Sequence, residues 1–91
     1  MFVAVSCDCS SDDHRKAVHG ILEQYGFKKV HESLFESTSL SETMLNRLKR
    51  DMDRLTDSYD SLRLYQYPLE GTLVVSALKE KKWRRYTLRT T

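Results

Sequence analysis

The stretch FVAVSCDCSS, residues 2–11, decides the fold, because it reads as a strand with two different faces. In an extended chain successive side chains point to opposite sides, so Val3, Val5 and Cys7 share one face and Ala4, Ser6 and Asp8 share the other. The first face is apolar enough to be buried. The second is made of small residues and ends in a carboxylate where the apolar run stops. By residue type alone Asp8 is either a metal ligand or a strand-end turn residue, since aspartate serves in both places.

The next elements follow from periodicity and punctuation. Ser11 or Asp12 can cap a helix over residues 12–25, in which Val18, Ile21, Leu22 and Tyr25 recur at helical spacing. Gly26 can take the left-handed conformation that stops it. In FKKVHESLFEST, Phe27 and Phe35 have one parity while Val30 and Leu34 have the other, so a bulge or tight turn is expected near His31–Ser33. Ser41 caps a second helix with the stripe Met44, Leu45, Leu48, Met52 and Leu55. A strand alternates from Leu62 to Tyr67, Pro68 closes it, Gly71 turns the chain, and TLVVSAL supplies another strand.

This order of elements predicts an α+β domain of the ferredoxin-like β-α-β-β-α-β plan with an extra C-terminal strand, both helices covering one sheet face. At 91 residues a chain hides only about 60% of its unfolded surface, so association with a second copy would help it. A homodimer held by the open sheet faces is expected, with the segment after Gly71 adding a strand to the partner's sheet and two Asp8 carboxylates brought toward one cleft.

Charge divides the chain. Residues 1–78 carry a net −3, whereas residues 79–91 carry six basic residues against one acid, a net +5. The boundaries predicted are a domain over 1–78 and a basic C-terminal tail over 79–91. In that tail Lys79, Lys81, Lys82, Arg84 and Arg85 interleave with Trp83 and Tyr86, a pattern suited to nucleic-acid contact. Arg47 and Arg50 on the second helix can share that task. No run approaches the ~20 apolar residues of a membrane helix, and no signal peptide opens the chain, so a cytoplasmic protein without a membrane is expected. Cys7 and Cys9 cannot build a disulfide framework and are read as buried or half-buried free thiols.

The apolar first strand ending in Asp8, then RKAV from Arg15, YGFKKV from Tyr25, SLFE from Ser33 and DSLRLYQYPL from Asp60, together resemble the second of the numbered CRISPR-associated proteins, the Cas-two family. The chain departs from the family's usual pattern at Cys7, where an aromatic residue is common, and at His31, where a glutamine is. The resemblance implies a homodimer, a magnesium-dependent endonuclease acting on RNA or double-stranded DNA, and a place in spacer acquisition beside the integrase, the first Cas protein. There the dimer bridges duplex DNA. The resemblance also tips Asp8 toward metal ligation and catalysis with Mg2+, which keeps several waters and takes few carboxylates.

Other candidates have simpler roles. Asp12 and Asp13 suit the positive end of the first helix, His14 and His19 read as surface or packing residues, and His31 sits at the expected bulge. An RNA-recognition module of the same plan is weakly supported, because neither FVAVSC nor SLRLYQY supplies its basic-glycine-aromatic pattern. The alternatives kept are a VapD-like toxin endoribonuclease and a DNA-binding scaffold without catalysis.

Overall fold

The chain runs β1 (Phe2–Asp8), α1 (Asp12–Gln24), β2 (Lys28–His31), β3 (Leu34–Ser37), α2 (Glu42–Leu55), β4 (Ser61–Leu69), β5 (Thr72–Lys79) and β6 (Lys82–Arg89). The structure is a computed structural model that describes residues 1–69 and 71–89, with the backbone alone at Pro68 and Leu69. Six strands form one sheet in the order β2-β3-β1-β4-β5-β6, and every neighbouring pair is antiparallel. The order β2-β3-β1-β4 around two helices is consistent with the ferredoxin-like plan.

Local chemistry explains the helix ends. Ser11 caps α1 by accepting from the His14 N–H, Asp12 and Asp13 occupy its first turn, and Gly26 follows it at φ 88°. Ser41 caps α2 through the Met44 N–H. The phase change expected near His31 is present as a register shift between Lys29 and His31, next to the turn that joins β2 to β3.

The core lies between the helices and one sheet face. Val3, Val5 and Cys7 of β1, Phe35 of β3, Leu62 and Leu64 of β4 and Leu78 of β5 meet Val18 and Leu22 of α1 and Leu45, Leu48 and Met52 of α2. All the strand residues have the parity that β1 set. Tyr25 ties the two helices together by donating to Asp51 over 2.6 Å.

Three expectations about the C-terminal third are corrected. β4 does not stop at Pro68 but continues to Leu69, with a register shift between Gln66 and Leu69 that accommodates a residue lacking an N–H. β5 pairs with β4 of its own chain, from Ser61↔Lys79 to Leu69↔Thr72, rather than with a second copy. So short a connection, with Gly71 at φ 74°, can only close an antiparallel hairpin.

The third correction concerns the segment expected as a tail. Residues 82–89 form β6, which pairs with β5 along its length, and Thr90 and Thr91 lie outside the described residues. KWRRYTLR alternates: Trp83 faces the helices, packs on the core and lies 5.8 Å under the Lys49 ammonium, while Arg84 and Tyr86 face the other way. The turn is tight, with Glu80 at φ 55° and Lys81 at φ 62°. Lys81 then reaches α2, where its ammonium binds the Asp53 and Thr56 carbonyls and the Asp53 carboxylate at 2.9 Å. These are the carbonyls a helix end leaves without partners, so the hairpin is fastened by a C-terminal cap.

The left-handed conformation is costly for glutamate and least so for asparagine and glycine. Glu80→Asn should therefore stabilise the fold by roughly 0.5–1 kcal/mol, read as a higher urea midpoint with an unchanged slope.

Candidate metal and phosphate-binding site

Because the helices take one sheet face, the other carries the polar ends of the strands. Asp8 is exposed at the end of β1 and lies in register with Ser61, which pairs with Lys79, which pairs with Lys82. The adjacent row on this face is Ser6, Arg63, Ala77 and Arg84. One carboxylate thus shares an end of the open face with four cations. Toward the other end the face turns apolar, through Tyr65, Val75 and Tyr86 to Phe2, Tyr67, Leu73 and Leu88. Tyr67 and Leu88 are half exposed there, at 46% and 49%.

The donor set around Asp8 is oxygen, from its carboxylate and the Ser6 and Ser61 hydroxyls on the same face. The thiols stand apart. Cys7 points into the core and donates to the Ser33 carbonyl, while Cys9 packs against the same core. Burial pushes both thiols up to about 11, with the neighbouring Asp8 charge adding to the effect, so neither is a thiolate at neutral pH. A hard, water-rich cation such as Mg2+ fits this donor set and a thiolate-seeking one does not.

A second acidic group lies beside the first. His14 with Asp57 and Asp60 places three ligand atoms within 4.8 Å of one another. Their bonding shows a clamp. Asp60 is 2% exposed, and its Oδ1 accepts from the Ser10 N–H at 2.7 Å and the Ser10 hydroxyl at 2.9 Å. Its Oδ2 accepts from the Asp57 N–H at 2.9 Å and lies 2.8 Å from His14 Nδ1. Burial by itself pushes this carboxyl up, but the donors of Ser10, Asp57 and His14 outweigh it and hold the pKa down at about 2. An ionised carboxylate only accepts, so His14 Nδ1 carries the proton. With both oxygens saturated by protein donors, Asp60 has no oxygen to offer an ion. It fixes Ser10, two residues beyond Asp8, to the start of β4.

This clamp is absent from the sequence reading, which placed His14 on the surface or in packing. Asp60 stands 50 residues from Ser10 and 46 from His14, so no local spacing links them. The available signal was a lone acid just ahead of a strand. His19 is the packing residue expected, its ring 4.7 Å from that of Phe35, and burial with Lys29 nearby lowers its pKa.

The structure divides the cations expected to meet nucleic acid. Lys79, Lys82 and Arg84 lie on the open face with Asp8. Lys81 is engaged at the end of α2. Arg85 has the helix-side parity of Trp83, close enough to Lys49 to lower its pKa further after burial has done so. Arg47 and Arg50 are exposed on α2, in the layer opposite Asp8. Arg63, which sequence reasoning missed, joins the open-face group. It donates through Nε to the Tyr65 hydroxyl at 2.8 Å and through its terminal nitrogen to the Tyr86 hydroxyl.

The family model described as CRISPR associated protein Cas2 matches residues 1–72. That span ends as β5 begins, so most of the β5–β6 hairpin lies beyond it. Among solved structures, a hypothetical protein from Thermus thermophilus is 36% identical over 78% of this chain and 83% of its own, with a TM-score of 0.65. No curated protein matches the chain.

The Asp60 clamp predicts a pH dependence. Its folded pKa of about 2 lies below the ordinary 3.8, so its contribution is fully present above pH ~4 and is lost as the pH falls toward 2, an amount of roughly 2 kcal/mol. Asp60→Asn should unfold more easily at pH 7 and lose that part of the acid dependence. Urea titrations of both proteins across that range measure it.

Proposed function

The chain belongs to the CRISPR associated protein Cas2 family, and from that premise we propose that it is a metal-dependent endonuclease that works as a homodimer in spacer acquisition. The observation that carries this reading is Asp8, exposed on the open sheet face beside Arg63, Lys79, Lys82 and Arg84. A hard acid ligand next to clustered cations suits a phosphodiester, whose oxygens can be shared between a metal ion and ammonium or guanidinium groups.

The reaction is hydrolysis. The oxygen of a water bonds to phosphorus, the phosphorus–oxygen bond to the leaving segment breaks, and the proton lost by the water passes through solvent to the leaving oxygen. Asp8 of each protomer would hold Mg2+, which when bound lowers the pKa of a water and neutralises charge on the leaving oxygen. Asp60 and Ser10 keep the chain beyond Asp8 in place, and the basic rows bind and orient the strand.

The dimer is supported by the apolar end of the open face. Among the described residues no layer lies above Phe2, Tyr67, Leu73 and Leu88, and Val75 is already buried where Tyr65 and Tyr86 flank it in register. A second copy laid face to face would cover this patch and bring two Asp8 carboxylates to one cleft. The substrate is RNA or double-stranded DNA, and the partner in the cell is the integrase, the first Cas protein. A bridging scaffold without catalysis is favoured by one observation, the sparse donor set of a single carboxylate per chain.

Asp8→Asn keeps the side chain's size but removes the charge that holds the ion, so metal-dependent cleavage of RNA and duplex DNA should fall to background. Its dimer and its nucleic-acid binding should persist. A variant that cleaves like the wild type leaves the scaffold reading standing. For the dimer, Tyr67→Glu with Leu88→Glu should yield a folded monomer by light scattering at micromolar concentration.

A further inference from the structure

The open face holds a pocket of about 380 Å³ between β4, β5 and β6. Ala77 is its small floor residue, Arg63, Lys79, Lys82 and Arg84 surround it, and Tyr86 closes one side. Glu80, on the turn, is the one acid in its lining. We propose that this pocket is a phosphodiester subsite for a nucleic-acid strand, with Arg63 as its oriented donor, rather than part of a diffuse basic surface. The proposal deepens the nuclease reading and rests on it only for the identity of the strand.

Orientation is the argument for Arg63. A guanidinium carries five N–H groups in a planar fork. One is given to Tyr65 and one to Tyr86, and the group lies 5.5 Å from the first ring and 5.7 Å from the second. These contacts hold the fork in place and leave its remaining N–H groups for an anion. Such an arginine loses little freedom on binding, unlike the three flexible lysine and arginine side chains around it.

Placement supplies the second argument. Ser61 is the register partner of Asp8, and Arg63 is two residues further along β4 on the same face. Diagonal neighbours of this kind stand about 7–8 Å apart. A phosphate can therefore lie on Arg63 while its neighbour along the strand, or its own far oxygen, lies toward Asp8. Ala77, between Arg63 and Arg84 in its row, leaves the space that a larger side chain would fill.

The arrangement depends on the β5–β6 hairpin. Ala77, Lys79, Lys82, Arg84 and Tyr86 all come from residues beyond the 1–72 span shared with the family. Arg63 belongs to that span but gains one of its two tyrosines from the hairpin. The hairpin thus adds to the open face a charged subsite that the shared core alone lacks.

The test uses the full chain with a fluorescent duplex DNA and an RNA of the same sequence, and reads salt-dependent binding and cleavage separately. Arg63→Gln should lower the log-log salt slope by about 0.9 on the nucleic acid that occupies the pocket, because one phosphate contact is lost. Arg63→Lys should keep the slope. Tyr65→Phe with Tyr86→Phe keeps every charge and should also keep the slope, yet reduce cleavage about tenfold or more through lost orientation. If the wild type cleaves neither probe, the hydrolytic reading fails while the slope still decides the pocket. A folded Arg63→Gln protein, by circular dichroism, that retains the wild-type slope on both probes overturns the proposal.

Discussion

Two helices of 13 and 14 residues can cover one face of a six-stranded sheet and no more. The rest of the structure depends on that constraint. Once Val3, Val5 and Cys7 turn toward the helices, the alternation of every neighbouring strand is settled, because a slip of one residue would expose its apolar set. The other face is left with whatever the strands place there, and no further element of the described chain is available to hide it. Asp8, its neighbouring cations and the exposed apolar residues Tyr67 and Leu88 all fall on that face.

The face is not uniform along the strands. At the start of β1 it offers aromatic and aliphatic side chains, which gain most from contact with a surface like themselves. At the end of β1 it offers Asp8, hydroxyls and cations, which gain most from phosphate and a hard metal ion. The apolar end and the charged end are thereby separated by about two residues of strand, so that covering the first would not by itself desolvate the second. The buried Asp60 carboxylate stiffens the polar end. A charge with 2% exposure is tolerable only because protein donors satisfy both its oxygens, and those donors come from the segment after β1, the first turn of α1 and the segment before β4.

The hairpin shows how one lysine can change the meaning of a charged segment. Lys81 spends its ammonium on the end of α2, and Trp83 spends its ring on the core. These two contacts draw a segment with the composition of a solvated tail into the sheet. With β6 in place the remaining cations sort by parity into two layers, and Lys82 and Arg84 are the ones that share the face of Asp8.

Much of this was legible in the residues themselves. The period of two in FVAVSCD, the caps Ser11 and Ser41 and the stripe Leu45, Leu48, Met52 are local patterns, so the order of elements as far as β5, the buried face of β1 and the exposure of Asp8 could be read from such patterns, while β6 could not. Of the residues gathered at the polar end of the open face, Asp8 and the cations Lys79, Lys82 and Arg84 were singled out by residue type and position. Tertiary structure alone decided the rest. Asp60 meets Ser10 and His14 across about half the chain, Arg63 becomes an oriented donor only when Tyr86 arrives from another strand, and Lys81 becomes a cap only where α2 ends. The physical reason is common to all three: a charged side chain is defined by its partners, and those partners are brought together by sheet register and helix packing rather than by distance along the sequence.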